Sequence, residues 1–186
     1  MYPLYAPPNI DPMAARRIAR WLQDRLTALV DMGLTLKHAH WNVVGPGFIA
    51  VHQLLDEQVE MVRELADAIA ERIAAMGSIP NGLAGYTVDH RSGDDYAIGR
   101  AVVAAHLGAI DKAYENVTSG HREAIADLGD LDPVTSDLLI QQTRALEQLQ
   151  WLVRAHIENT SGYLPTTEED SQLDAAVAAA VSDPLE

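Results

Sequence analysis

Residues 37–56 read Lys37-His38-Ala39-His40-Trp41-Asn42-Val43-Val44-Gly45-Pro46-Gly47-Phe48-Ile49-Ala50-Val51-His52-Gln53-Leu54-Leu55-Asp56. The centre, Gly45-Pro46-Gly47, is a chain reversal, because a proline between two glycines neither continues a helix nor donates to a ladder. His40 precedes Pro46 by six residues and His52 follows it by six. If two antiparallel helices pivot at this turn, the two histidines come side by side. Asp56 lies one helical turn beyond His52 on the same face.

Upstream, Asp11-Pro12 opens a helix with a capping carboxylate and a proline at the first helical position. Ile18, Leu22, Leu26, Leu29, Gly33 and Leu36 then recur at steps of three or four, the period of an amphipathic helix running to about Trp41. Downstream, a second helix is expected from Phe48 to Met76, with Gly77 as its C-terminal cap and Pro80-Asn81-Gly82 beyond it. A third is expected from about Asp95 to Leu128, on a stripe of Ile98, Val102, Ala105, Ala109, Ala113, Val117, Ile125 and Leu128. Asp132-Pro133 repeats the opening device for a fourth, which follows Leu138, Leu146, Leu149, Leu152 and Val153 and fades near Ser161-Gly162. No stretch alternates apolar and polar residues at length, so no β-sheet is expected.

The fold class is therefore all-α, and a four-helix bundle is the leading architecture. The link from Gly77 to Asp94 is long for neighbours in a bundle. Extended, it could reach roughly 60 Å, whereas a thirty-residue helix is about 45 Å long. It can cross the whole bundle, as a ferritin-like topology with a long crossover between the second and third helices requires. The expected organisation is an N-terminal extension (1–11), the bundle (12–162) and an acidic tail (163–186), the tail having six acids and no base.

The chain has 186 residues, 27 acids against 13 bases, a net charge of −14, 48% hydrophobic residues and no cysteine. The absence of cysteine excludes disulfides, thiolate metal sites and thiol catalysis. No apolar run approaches a membrane span and no charged-then-apolar leader opens the chain. The expectation is a cytoplasmic protein without membrane association. The acidity favours cationic partners over phosphate backbones.

Two imidazoles and a carboxylate at one point suit a divalent metal that accepts mixed nitrogen and oxygen ligands, such as Fe(II), Mn(II) or Zn(II). Along the second helix His52, Asp56, Arg63, Asp67 and Glu71 fall within about a 100° arc. Asp56 and Asp67, however, are about 16 Å apart along the axis, and metal–oxygen bonds are only about 2 Å long. Either Asp67 and Glu71 form a surface charge pair, or a second chain brings its own Asp67 and Glu71 to His40, His52 and Asp56. For any one of these residues the bland reading is a packed histidine or a solvated acid. Their conjunction on one stripe favours the metal, because buried polar groups need partners.

Three segments closely resemble the Dps family, the mini-ferritins also called DNA-binding proteins from starved cells: residues 37–45, residues 48–56 and Asp67-Ala68-Ile69-Ala70-Glu71-Arg72. A weaker likeness, including Leu149-Gln150-Trp151-Leu152, covers about 14–162. The resemblance implies a hollow homododecamer with ferroxidase centres at its two-fold interfaces. It implies that His40, His52 and Asp56 bind iron from one subunit while Asp67 and Glu71 come from its partner. It further implies that Fe(II) is oxidised, preferably by hydrogen peroxide, and that the Fe(III) product is stored in the cavity, which protects against oxidative stress. Trp41 is then a candidate electron donor or radical sink, or a residue packed between helices. No Glu-x-x-His motif occurs, which argues against an intrachain di-iron centre of the larger ferritin type.

In Dps proteins acids near the start of the fourth helix line three-fold pores for Fe(II). Of Asp127, Asp130, Asp132 and Asp137 here, Asp132 is expected to cap the helix, which leaves Asp130 and Asp137 as pore candidates. Direct DNA binding is not expected: the tail is acidic, and Arg16, Arg17 and Arg20 are better read as salt-bridge partners. Arg63 is expected to pair with Asp56 or Asp67 across a dimer. His38 lies about 200° around the helix from His40 and should face elsewhere, and His90, His106, His121 and His156 have no partner at ligand spacing. The competing class is a nucleoid-associated DNA-binding assembly whose metal site is structural, of the zinc type.

Overall fold

Four long helices account for most of the chain, and their ends follow the local chemistry. The structure, a computed structural model, describes residues 5–93 and 95–158. The expected acidic tail and residues 159–162 lie outside the described residues. Helix α1 spans Pro12–Asn42, and the Asp11 carboxylate accepts from the Met13 and Ala14 amides at 2.7 and 3.3 Å. Helix α2 spans Phe48–Ala75. Gly77 follows it in the left-handed region, at φ 74°, as the Gly77 and Ser78 amides close back onto the Ala74 and Ile73 carbonyls. A Cβ at Gly77 would lie 2.0 Å from the Tyr5 carbonyl oxygen, so the N-terminal segment crosses the end of α2 where only glycine leaves room. Helix α5 spans Pro133–Ile157, with Asp132 capping the Val134 and Thr135 amides.

The predicted stripe of α1 is buried at every position, from Ile18 to Leu36. It packs on α2 and on α4 (Val103–Leu128), while α4 packs on α5. Across the core the buried Tyr114 hydroxyl donates to Gln58 Oε1 at 2.8 Å, and Gln58 Nε2 donates to the Leu149 carbonyl at 3.2 Å. Three helices are thereby fixed in one register by satisfied polar groups. No helix among the described residues is long and apolar enough to cross a membrane.

The link and α4 differ from expectation. Between α2 and α4 a short helix, α3 (Ala84–His90), packs on α1. Residues 95–102 are not helical; Ala101–Val102 (β2) pairs in parallel with Val43–Val44 (β1). A four-residue parallel bridge therefore exists where no sheet was expected. The helical spacing of Ile98 and Val102 was coincidental: the Ile98 carbonyl takes a hydrogen bond from His38, and Val102 pairs with β1. The buried stripe of α4 is Leu107, Ile110, Tyr114, Val117, His121, Ala124 and Leu128, which shares only Val117 and Leu128 with the expected one. The larger side chains turn inward, and the smaller Ala105, Ala109 and Ala113 fall at or near the surface.

Candidate metal centre

The turn after α1 joins His40, in its last turn, to His52, in the second turn of α2. Gly45 and Gly47 adopt φ of 93° and 75°, conformations that side chains with a Cβ rarely reach, so this reversal needs glycine at both places. The two imidazoles stack with centroids 3.6 Å apart and planes 21° from parallel. Each is held by the other's backbone: His40 Nδ1 donates to the His52 carbonyl at 2.8 Å, and His52 Nδ1 donates to the His40 carbonyl at 2.9 Å. A histidine donating from Nδ1 in its neutral form keeps a lone pair on Nε2, the arrangement in which second-shell carbonyls orient a metal ligand. His40 is buried, His52 is half-buried, and Phe48 leans on the His52 ring.

Asp56 lies one turn along α2 and is exposed. It forms an ion pair with Lys37, whose hydrogen bond and charge, with the two imidazoles nearby, hold the carboxyl below the usual carboxylate range. Two nitrogen donors thus lie side by side, with an ionised oxygen donor near enough to feel their charge. Among the described residues, no three histidines or acids within the chain come close enough to hold a metal. Asp67 and Glu71 are exposed further along α2, about 16 and 22 Å beyond Asp56. The structure therefore brings together His40 and His52, with Asp56 a turn away, and leaves Asp67 and Glu71 facing outward. Arg63 pairs with Glu60 at 3.0 Å within its own helix, not with Asp56 or Asp67 of its chain.

The family model for the ferritin-like domain matches residues 20–162. The "DNA protection during starvation protein" of Mycolicibacterium smegmatis is 46% identical over 169 residues, 91% of this chain and 92% of that one. The chain belongs to the Dps family of ferritin-like proteins. Among solved structures, DpsA14 from Streptomyces coelicolor superposes with a TM-score of 0.87 at 54% identity, over 89% of this chain and 99% of that one. Mycobacterium smegmatis Dps gives 0.86 at 46%, over 88% and 94%. A protein of Haemophilus ducreyi named "Fine tangled pili major subunit" is also 49% identical over 155 residues, 83% of this chain and 82% of that one. Names therefore diverge among relatives of similar sequence.

The remaining candidates separate by what they touch. Asp132 is buried; burial pushes its carboxyl up, but hydrogen bonds from Thr135 and Arg72 (2.5 Å to the Arg72 guanidinium) outweigh that and hold it low. Asp127 is held by Arg17 and by the Trp21 indole at 2.6 Å. Asp130 and Asp137 are exposed, Asp137 accepting from Gln141 at 2.7 Å. Trp41 is 70% exposed in the single chain rather than packed between its helices. His38 does face away from His40: its Nε2 bonds the Ile98 carbonyl and its ring meets Tyr96 edge-on. Tyr96 in turn hydrogen-bonds His106 Nδ1 at 2.8 Å. No sequence spacing signalled that network, because the link that carries Tyr96 returns to α1 only in the fold.

Proposed function

We propose that this chain is an iron-storing ferroxidase, working as a hollow homododecamer in which pairs of chains share each centre. The observation that carries the reading is the reciprocal His40–His52 hydrogen bonding, which leaves both Nε2 atoms free on neighbouring rings. Membership of the ferritin-like Dps family supports iron as the metal handled. Iron is the substrate here: Fe(II) binds His40, His52 and Asp56 of one chain, and Asp67 and Glu71 of a second copy complete the centre. The donor set fits, since carboxylates stabilise Fe(III) as it forms, while imidazoles hold the divalent ion. Two Fe(II) each lose one electron to one hydrogen peroxide, which takes up two protons and leaves as two waters. Lys37 has a positioning role, holding Asp56 ionised before iron arrives. Asp130 and Asp137, exposed beside the start of α5, form the entrance for Fe(II). The net charge of −14 favours cation entry over direct DNA contact, and Arg17 is already committed to Asp127.

The test is hydrogen peroxide consumption by anaerobic protein loaded with Fe(II). Wild type should consume peroxide in proportion to bound iron, whereas His52→Ala and Asp67→Ala should each slow oxidation at least tenfold, about the effect expected when a ligand is lost. Equal rates in all three would overturn the assignment, and tight zinc retention without oxidation would favour a structural site.

A further inference from the structure

Among the described residues, Arg25 is a cation without an ion-paired or hydrogen-bonded counterpart. It lies on α1 facing α4, is only 8% exposed, and its Nε has no hydrogen-bond partner. No carboxylate among the described residues makes an ion pair with it. Room for the guanidinium comes from Gly120 on α4, where a Cβ would fall 1.6 Å from Arg25 Nη1. Burial pushes the guanidinium down from its ordinary value, opposed by the charges of Asp24 and Glu123. Asp24 is itself pushed up by burial. A charge withdrawn from water without a partner is destabilising, and a bound counter-ion would relieve that cost.

The surroundings suit such a counter-ion. Arg25 lines a cleft of about 420 Å³ between α1, α4 and the link, which also presents Lys112, Asn116, Thr35 and Ser92. Among the described residues that line it, the two acids, Asp31 and Asp95, are both engaged by Arg91. Lys112, exposed on α4, makes no ion pair among the described residues and supplies a second uncommitted cation. Two cations lining one cleft together with amide and hydroxyl donors suit an oxyanion with several acceptor atoms better than a halide. We propose that this cleft binds a small phosphate-type oxyanion, with Arg25 and Lys112 as its cationic ligands. The site lies apart from the His40–His52 pair and does not depend on the ferroxidase reading.

The experiment uses the assembled, iron-free full-length protein, so that ferric iron cannot capture the anion. Inorganic phosphate and glycerol phosphate are titrated separately by calorimetry, against chloride at equal ionic strength. Saturable binding of either is expected, the tighter of the two telling free phosphate from a phosphomonoester. Lys112→Ala should weaken it roughly tenfold, the scale of one charge-assisted hydrogen bond. Gly120→Ala, which keeps the charge but displaces the guanidinium, should weaken it as much. Arg25→Gln should abolish binding, yet unfold no earlier than wild type in phosphate-free buffer, because it removes an unpaired charge. Wild-type heats indistinguishable from chloride, or undiminished binding by Arg25→Gln, would overturn the proposal.

Discussion

Each histidine of the pair is held by the other's backbone, so losing either ring frees one carbonyl and loosens the turn as well as removing a candidate ligand. His121 shows the opposite use of the same side chain. It is fully buried, bonded to the Val117 carbonyl at 3.0 Å and to Gln142 at 3.2 Å, and burial depresses its pKa to about 4. An unfolded histidine titrates near 6.5, so between those values the unfolded chain binds a proton that the folded chain refuses. The stabilisation is therefore fully present above about pH 6.5 and is lost as pH falls to about 4, a difference on the order of 3 kcal/mol. Denaturant midpoints measured from pH 7 to pH 4 should fall across this window and flatten in His121→Gln. A wild-type midpoint independent of pH there would show that His121 is not buried neutral.

At the scale of elements, stability resides in the helix ends as well as the core. Gly77→Ala forces a Cβ against the Tyr5 carbonyl at positive φ and should cost about 1–3 kcal/mol, read as a lower denaturant midpoint with unchanged slope. Asp132→Ala removes a cap and also strands Arg72 and Thr135, whereas Asp11→Ala removes a solvent-exposed cap alone. The first should cost about 2–4 kcal/mol and the second about 1 kcal/mol or less; equal losses in thermal unfolding would contradict the role given to Arg72. These ends were legible in the sequence because capping is local: Asp-Pro twice and Gly77 each act within one turn. The α1 stripe was legible for a similar reason, its period being unbroken from Ile18 to Leu36. What escaped was set by distant partners. The run from Asp95 to Val102 looked helical by spacing, yet its backbone is spent on His38 and β1. Arg25 had no sequence signal at all, since only the fold places Gly120 beneath it.

For the whole molecule, the facing of His40 and His52 follows from one symmetric turn, and the separation of Asp56 from Asp67 follows from helix rise alone. The first was legible in the sequence and is present in the fold. Under the proposed function, the second makes the centre a property of two chains. The charge of −14 fits the same account, with Asp127 and Asp132 tied into the bundle while Asp130 and Asp137 remain exposed. The most direct measurement is complementation. His52→Ala and Asp67→Ala chains are unfolded together, mixed in equal amounts and reassembled, and Fe(II) oxidation by peroxide is followed. If each centre takes His52 from one chain and Asp67 from another, random two-fold pairing restores about a quarter of the wild-type centres. A mixture no more active than its inactive parents would contradict a shared centre.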